Sequence, residues 1–211
     1  MGKKTEQEKF WAQSFGDNYT YRSIKNSNRN IKNSNRINTT GRSLLDNNVL
    51  INEALELGAN VGYHLDAIKT IYPNTKTYGV EINKKAYLIG KKKHVYYNKS
   101  VYDFKSSKKF DLVFCCGVLI HQNPKNLLKF YKMLFTLSKK FIYLSEYFNP
   151  TPVMINYRGN KDKLYKRDFA KEFWNLYPKL TLLDYGFHWK EDPTLKNCCD
   201  NNNWFLFKKG K

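Results

Sequence analysis

The stretch Glu56-Leu57-Gly58-Ala59-Asn60-Val61-Gly62 decides the fold of this chain. It follows an apolar run that begins at Val49, and it opens a segment, 61–72, whose pattern predicts a helix. Its small residues let the backbone turn tightly and approach a ligand closely. The sequence therefore predicts a strand, a glycine-rich turn and a helix, which together form a ligand-binding unit of α/β sheets.

A second acidic residue strengthens this interpretation. Glu81 ends the next predicted strand, 19 residues after Gly62, and a carboxylate there can accept both hydroxyls of a ribose. That spacing suits NAD or S-adenosylmethionine, and three details favour the latter. Glu56 lies where an acid can face the amino-acid part of the cofactor. The turn lacks the GxGxxG spacing that holds a pyrophosphate, and an apolar strand, 110–116, leads directly into the segment 117–121.

From Val49 onward, predicted strands and helices alternate. The predicted strands are 49–57, 77–82, 95–97, 110–116, 141–146, 180–189 and 204–208, and the predicted helices are 61–72, 84–92, 124–137 and 167–177. Continuous apolar strands separated by helices favour a parallel, doubly wound sheet. The last two strands have no helix between them and predict an antiparallel strand at one edge. The predicted fold is α/β and Rossmann-like, with a mostly parallel seven-stranded sheet and an N-terminal helical cap.

The N-terminal region differs in character. Thr5 to Phe15 predicts an amphipathic helix that Thr5 caps and Gly16 stops. A tandem repeat follows, with IKNSNRN at 24–30 and IKNSNR at 31–36. Seven residues make nearly two helical turns, so this duplication can lengthen a helix without changing its face.

We therefore divide the chain into two parts. Residues 1–48 form the predicted cap or arm, and residues 49–211 form the predicted main domain. The main domain carries a polar insert at about 148–166, which we expect to bind the acceptor.

The composition limits the possible classes of protein. With 41% hydrophobic and 16% aromatic residues, the 211-residue chain can bury a sizeable core. No apolar run has the roughly 18–20 residues of a membrane span. The cysteines form two adjacent pairs, Cys115-Cys116 and Cys198-Cys199, which match neither metal-ligand spacing nor a disulfide framework. We therefore predict no metal site and a cytoplasmic location.

The charge of +19 has two possible origins. One is an anionic partner, such as nucleic acid, a membrane surface or a phosphorylated substrate. The other is an AT-rich genome, since the chain has 24 Asn and far more Lys than Arg. The charge alone therefore does not identify a partner.

Four segments resemble the class I S-adenosylmethionine-dependent methyltransferases: ELGANVG (56–62), YGVEIN (78–83), FDLVFCCGVLIH (110–121) and the helix that begins at NPKNL. Four further segments are similar to the methylases associated with pseudaminic acid biosynthesis: TEQEKFWAQSFGDNY (5–19), EYFNPTPV (146–153), YRGNKDKLYKRDFA (157–170) and LLDYGFHWKEDP (182–193). The resemblance implies methyl transfer from S-adenosylmethionine, with S-adenosylhomocysteine as product, in a pathway for a nonulosonic acid sugar of surface glycans. The duplicated heptad departs from the family pattern.

The resemblance also implies roles for individual residues. Glu56, Gly58, Asn60 and Gly62 are expected to line the methionine part of the cofactor, and Glu81 to bind its ribose. The remaining expected cofactor contacts are Ser100 and Val101 at the adenine, Cys116 and Gly117 near the sulfonium, and Trp11 and Phe15 as a cover. For the two aromatic residues, plain core packing is an equal alternative.

The acceptor side rests on residue chemistry. A sugar hydroxyl is weakly acidic, so a base helps to remove its proton, and His121 follows the fourth strand where the methyl group should emerge. Glu146 and Tyr147 end the fifth strand at the same edge. The expected substrate contacts are Tyr157, Arg158, Lys161, Lys166, Arg167 and His188. Arginine binds a carboxylate or phosphate with two parallel hydrogen bonds, and two of the chain's six arginines lie in this short stretch. His64 and His94 are expected at the surface.

Two other functions compete with sugar methylation. An RNA or DNA methyltransferase would explain the basic charge. However, Cys115-Cys116-Gly117 stands where enzymes that methylate exocyclic base amines carry an Asn/Asp-Pro-Pro-aromatic loop. A binding protein that has lost catalysis is the other alternative, against which the acids Glu56 and Glu81 argue.

Overall fold

The computed structural model describes residues 4–25, 42–193 and 201–210. Its helices are α1 (Glu6–Ala12), α2 (Ser14–Lys25), α3 (Arg42–Asp46), α4 (Tyr63–Ile71), α5 (Lys84–Gly90), α6 (Leu127–Leu137) and α7 (Phe169–Leu176). Its strands are β1 (Glu53–Leu57), β2 (Lys76–Val80), β3 (Val95–Tyr97), β4 (Phe110–Cys116), β5 (Ser138–Tyr147), β6 (Val153–Tyr157), β7 (Asn160–Lys166), β8 (Thr181–His188) and β9 (Asn202–Lys208). Most of the tandem repeat and the pair Cys198-Cys199 lie outside the described residues.

The main sheet confirms the predicted fold class. It has seven strands in the order β3-β2-β1-β4-β5-β9-β8. Parallel pairing joins β3 to β2, β2 to β1, β1 to β4 and β4 to β5, whereas β9 is antiparallel to both β5 and the edge strand β8. The chain winds outward in opposite directions from β1 and β4. Ligands of such sheets bind at the carboxyl ends of the strands beside this reversal.

Helices cover both faces of the sheet, which explains the continuous apolar strands. On β4, Val113 packs in one core cluster with Phe130 of α6. Its neighbour Leu112 packs in a second cluster with Leu65 and Ile68 of α4. Since alternate side chains of a strand point to opposite faces, a strand buried on both faces must be apolar throughout. Within the described residues, no helix has the length and apolar character needed to cross a membrane.

One tyrosine of β3 fills the space left by three glycines. A Cβ atom on Gly79 would lie 2.7 Å from the ring of Tyr96, and one on Gly90 would lie 2.3 Å from it. At Gly62, an added Cβ would lie 2.8 Å from the Tyr96 hydroxyl. Tyr96 is 8% exposed, so its ring cannot move into solvent. The ring joins β2, α5 and the turn before α4 into one packed unit.

Of two local predictions at the N-terminus, one needs correction. Gly16 does not end the first helix. That helix already ends with Gln13 as its C-cap, and Gly16 lies inside α2. Its missing side chain lets α2 pack against α1, since a Cβ there would lie 1.8 Å from the Trp11 carbonyl oxygen. The predicted N-cap Thr5 is confirmed, as Thr5 and Glu8 form a reciprocal capping box.

The insert contains regular structure that the sequence pattern does not reveal. Strands β6 and β7 pair as an antiparallel hairpin. Most of their residues are exposed or half-exposed, and buried Leu164 is an exception. Without a buried face, the strands lack the alternation by which strands are recognised.

Candidate active site

A cavity of about 270 Å³ lies at the carboxyl ends of β1, β2 and β4. The turns after these strands form its floor, and α1 and α2 contribute to its wall. Ten of the residues predicted to bind cofactor or to catalyse line it together: Trp11, Glu56, Gly58, Asn60, Glu81, Ser100, Val101, Cys116, Gly117 and His121. The sheet topology therefore brings together residues that are up to 110 positions apart in the sequence.

The turn after β1 has the conformation that its glycines allow. Gly58 has φ of 80° and Gly62 has φ of 92°, values that other residues adopt only with strain. The Gly58 amide donates to the Val80 carbonyl oxygen at 2.9 Å, which ties the turn to β2. A Cβ on Gly58 would lie 2.7 Å from Val118. Gly62 starts α4 and is not among the residues that line the cavity.

Three residues that line this cavity carry buried polar atoms without hydrogen-bond partners among the described residues. The Glu56 side chain is 1% exposed. Its Oε1 lies 3.0 Å from His64 Nδ1, but its Oε2 has no hydrogen-bond partner among the described residues. The same holds, within that part of the chain, for Asn60 Oδ1 and Trp11 Nε1. Since buried polar groups are nearly always hydrogen-bonded, these atoms fit a polar ligand.

Glu81, just after β2, also lines the cavity. Its Oε2 accepts from the Asn60 amide at 2.8 Å and its Oε1 from the Asn83 amide at 2.7 Å. Burial raises the pKa of Glu81 to about 7, although these two amide hydrogen bonds oppose the shift. The carboxylate is thus fixed in place and changes its charge near neutral pH.

His121 belongs to a short 3₁₀ helix, Leu119–His121, just after β4. Its Nδ1 lies 2.7 Å from the Lys163 carbonyl oxygen of β7. A carbonyl only accepts, so Nδ1 carries the proton and Nε2 keeps its lone pair. Burial lowers the pKa of His121 to about 4, so the ring is neutral at pH 7. Trp11 and Tyr157 flank the ring, with centroids 4.6 and 4.9 Å away.

Glu146 does not line the cavity. Its carboxylate accepts from the amides of Val118, Leu119 and Ile120, at 2.9, 2.9 and 3.3 Å. Burial raises its pKa to about 7. The Glu146 carboxylate thus holds the segment that carries His121 and not a cavity wall, and its expected catalytic role stays a prediction. Tyr147 also lies outside the cavity, with Lys166 Nζ 5.4 Å from its ring centroid.

The cationic residues of the insert do not converge on the cavity. Arg158 is exposed at the hairpin turn, with φ of 50° and its guanidinium 5.9 Å from the Tyr157 ring centroid. Lys161 is exposed. Arg167 Nε donates to Glu172 at 2.6 Å, so that guanidinium is already paired.

Two other predicted contacts also lie outside the lining. His188 ends β8 and pairs in register with Asn202. Phe15 stacks on Phe10 with centroids 4.0 Å apart, and its ring lies 5.4 Å from that of Trp11. Phe15 thus packs behind the aromatic residue that does reach the cavity.

Two histidines expected at the surface are not there. His64 lies in the first turn of α4 and lines the cavity beside Glu56. His94 is 8% exposed and contacts Thr77 and Asp66 at 2.7 and 3.2 Å. The first turn of a helix that follows a ligand-binding loop faces the ligand, and this rule could have identified His64. Thr20, Ser23 and Gln7 of the N-terminal helices also line the cavity and were not predicted to do so.

The cavity differs in charge from the whole protein. Its lining has three acidic residues, Glu8, Glu56 and Glu81, and one lysine, Lys99. The chain as a whole carries +19. Local acidity favours a cationic group such as an amine or a sulfonium inside the cavity.

Solved structures with the same fold are methyltransferases. Magnesium protoporphyrin IX methyltransferase from Synechocystis PCC 6803, solved with S-adenosylmethionine, has a TM-score of 0.67 at 12% identity and covers 100% of both chains. The plantazolicin methyltransferase BpumL, in complex with S-adenosylhomocysteine, has a TM-score of 0.66 at 12% identity over 97% of this chain and 94% of its own.

A third similar structure is the N-methyltransferase NodS from Bradyrhizobium japonicum, with a TM-score of 0.65 at 11% identity over 87% of this chain and 99% of its own. At these identities the likeness shows a shared fold. No protein-family model matches the chain, and no curated protein is similar enough in sequence to count as a match.

Proposed function

We propose that this chain is an S-adenosylmethionine-dependent methyltransferase. The observation that carries the proposal is the buried, unpartnered Oε2 of Glu56, a residue that lines the cavity at the switch point of the sheet. Two structures with the same fold contain S-adenosylmethionine or S-adenosylhomocysteine, which supports the choice of cofactor. The acidic lining suits the cationic amine and sulfonium of that molecule.

The lining residues would hold the cofactor as follows. Glu56 and Asn60 would accept hydrogen bonds from its amino group, and Glu81 would accept from the ribose hydroxyls. Ser100 and Val101 would flank the adenine, and Cys116 with Gly117 would lie near the sulfonium. When bound, S-adenosylmethionine supplies a methyl group that is electrophilic because it is attached to a positive sulfur.

His121 is the proposed general base. Nε2 of its neutral ring can take the proton of an acceptor hydroxyl, since Nδ1 already carries one. The Lys163 carbonyl oxygen, 2.7 Å from Nδ1, then stabilises the charged ring. Because Glu146 holds three successive amides of the segment before His121, the base stays in a fixed orientation.

We propose a sugar or nucleotide-sugar as the acceptor, with an anionic group held by the insert. Tyr157 connects the two regions, as its ring is 4.9 Å from His121 and 5.9 Å from the guanidinium of Arg158. Arg158 and Lys161 are therefore the cations that an acceptor leaving the cavity would meet. Lys166 contacts the Tyr147 ring instead, and Arg167 is paired with Glu172.

An RNA or DNA methyltransferase is the second candidate, and the charge of +19 favours it. Nucleic acid affinity arises mainly from contacts of basic residues with phosphates. The acidic cavity opposes this candidate, because phosphates next to the methyl donor would face Glu56 and Glu81.

Calorimetry with S-adenosylhomocysteine tests the cofactor assignment. We expect one site per chain, and the variant Glu56→Ala should weaken binding by about ten- to a hundredfold, as for lost hydrogen bonds to a charged group. The control Lys132→Ala alters an exposed residue of α6 and should bind normally. Absence of binding to the folded wild type would overturn the proposal.

Methyl transfer to candidate acceptors tests the substrate class. The protein is incubated with labelled S-adenosylmethionine and either nucleotide-activated nonulosonic acids or total RNA, and the products are analysed by mass spectrometry. Label in the sugar supports the first candidate. Label confined to RNA would replace it with the second.

A further inference from the structure

Three side chains with metal-binding atoms meet in the cavity. The side chains are Glu56 at the end of β1, His64 in the first turn of α4 and Cys116 at the end of β4, and their ligand atoms all lie within 4.8 Å of one another. Glu56 is buried, and the other two are partly exposed. Because these residues are 8 and 52 positions apart in sequence, cysteine spacing could not predict this cluster.

We infer that Glu56, His64 and Cys116 form a binding site for Zn²⁺. Zinc in proteins is bound by thiolate, imidazole and carboxylate groups, and three protein ligands leave a fourth position open. Here that position would face the cavity. Magnesium and calcium prefer sets of oxygen ligands, so the nitrogen and sulfur donors select zinc among the common divalent ions.

The buried carboxylate is a second, independent observation that points to a ligand. Glu56 Oε2 has no hydrogen-bond partner within the described residues, although the side chain is 1% exposed. The hydrogen bond from His64 reaches the other oxygen, Oε1. Oε2 therefore stays buried without a partner, which costs free energy. A cation bound to Oε2 would remove that cost. His64 Nδ1 would then coordinate the cation in place of its hydrogen bond to Glu56.

Binding also requires a change of protonation. Zinc binds the thiolate, so the Cys116 thiol must release its proton to solvent as the Zn–S bond forms. The charges of Glu56 and the thiolate then balance the charge of the ion. No electron transfer is involved, and chelation reverses the reaction.

The site has a consequence for the proposed cofactor. Glu56 cannot coordinate zinc and accept from the amino group of S-adenosylmethionine through the same free oxygen, so the two ligands should exclude each other. This exclusion rests on the proposed function, whereas the zinc site itself rests on the three side chains alone.

Cobalt and zinc titrations of the ligand-free protein test the site. We expect one Co²⁺ per chain with a thiolate-to-cobalt charge-transfer band, displaced by Zn²⁺. The variants Cys116→Ser and His64→Gln should weaken zinc binding by about a hundredfold or more, since loss of a direct ligand exceeds the ten- to hundredfold effect of outer-shell changes. Cys116→Ser should also abolish the band.

Controls separate this site from other zinc ligands. The double variant Cys198→Ser/Cys199→Ser and the variant His188→Gln should bind zinc as the wild type does. If the double variant loses the band and Cys116→Ser keeps it, the inference is wrong. Thermal unfolding without metal shows whether each variant is folded, and Cys116→Ala provides a second thiol-free variant if the serine is not tolerated.

The exclusion is measured by titrating S-adenosylhomocysteine at increasing zinc concentrations. We expect the apparent dissociation constant to rise in proportion to zinc and to return to its original value with a chelator. Zinc binding without competition overturns the exclusion but leaves the site. Cofactor binding without zinc binding overturns the site and leaves the proposed function intact.

Discussion

The two sides of this protein's cavity are built in different ways. On the cofactor side, turns from three adjacent strands place Glu56, Glu81 and Gly117 around one space, and backbone hydrogen bonds fix each turn. On the proposed acceptor side, a hairpin with an exposed outer surface places the ring of Tyr157 beside His121, which lines the cavity, while Arg158 stays outside the lining. The first side is determined by sheet topology, and the second by side chains on a short insertion.

This difference explains what each side can do. Parallel strands bring their carboxyl ends together whatever the loop sequence, so the cofactor side can keep its geometry while loops change. The hairpin contacts the rest of the protein through Leu164, which is buried in the core, and through hydrogen bonds that join His121 Nδ1 to the Lys163 carbonyl and Gln7 Nε2 to the Asp162 carbonyl. Insertions of this kind can vary and can thereby change the acceptor.

The largest effect is expected where the two sides meet, at His121. Replacing a general base typically lowers the rate by about 10²–10⁴-fold, so we expect His121→Ala to lower kcat in that range. Cofactor affinity should stay within about threefold, since changes outside the direct contacts are small. A wild-type kcat for His121→Ala would show that the acceptor needs no base here.

The pH profile of the wild type sharpens this test. The pKa of His121 is about 4, so the ring stays neutral as the pH falls from 8 to 6. At saturating cofactor, kcat should therefore not decline over that range. A histidine with the ordinary pKa of about 6.5 would be half protonated at about pH 6.5, and kcat would then decline within the range. A decline with a midpoint near 6.5 would contradict the buried, neutral state.

A large loss of stability is expected at Glu146, which lies outside the cavity. Glu146→Ala leaves three amides without their acceptor, and buried unsatisfied groups cost about 1–3 kcal/mol each. We expect the free energy of unfolding in urea to fall by about 3 kcal/mol or more. The comparison variant Arg158→Ala, on the exposed hairpin turn, should change it by less than about 0.5 kcal/mol.

Glu146 also has a pH signature. Its folded pKa of about 7 lies above the ordinary 4.5, so between these values the folded protein holds more protons than the unfolded chain. Stability contributed by this group is thus full below pH 4.5 and decreases as the pH rises towards 7. Glu146→Ala should show a weaker decrease than the wild type, with Glu81 retaining its own contribution. Equal slopes would contradict the raised pKa.

An intermediate effect is expected at Glu81. Glu81→Gln keeps the size of the side chain but removes the charge that accepts from ribose hydroxyls, so affinity for S-adenosylhomocysteine at pH 8 should fall about tenfold or more. Because the pKa of Glu81 is about 7, wild-type affinity should rise from pH 6 to pH 8 as the carboxylate ionises. Calorimetry of Glu81→Gln should show no such rise from this group. A rise of equal size in both proteins would assign the titration to another residue.

The smallest effects concern the acceptor side, where two arginines form a matched pair. Arg158 is exposed beside Tyr157, whereas Arg167 is paired with Glu172. We expect Arg158→Ala to raise the Michaelis constant of an anionic acceptor by about tenfold, as for loss of one charged hydrogen-bond partner. Arg167→Ala should leave this constant unchanged. The reverse result would move the anion site to the base of the hairpin.

The sequence predicted best what depends on periodicity and loop chemistry. Strands 95–97 and 110–116 were predicted with their observed bounds, and the second is buried along nearly all of its length, as an apolar run between helices indicates. The acids at the ends of β1 and β2 were placed at one cavity because the carboxyl ends of parallel strands lie at the same edge of a sheet. This second inference needs only the order of the strands along the chain and the rule that ligands bind at the carboxyl ends of parallel strands.

What the sequence missed is the partner that each side chain contacts. Arg167 pairs with Glu172, five positions away, and partly exposed His64 contacts Glu56, eight positions away. Glu146 was predicted to be catalytic because it lies near the end of a strand at the carboxyl edge of the sheet. Its carboxylate, however, accepts hydrogen bonds from three amides that are 26 to 28 positions away. Position along a strand predicts where a side chain starts but not which partner it finds.

The ring of Tyr96, against which three glycines pack, limits which substitutions related sequences can accumulate. As long as the tyrosine is present, a side chain at Gly79 or Gly90 would overlap it, so substitutions at those glycines should destabilise the fold. Once Tyr96 is replaced by a small residue, the same substitutions would fill the vacated volume. The order in which mutations arise therefore decides which are tolerated, and only a chain without this tyrosine has room for side chains in place of the glycines of β2 and α5.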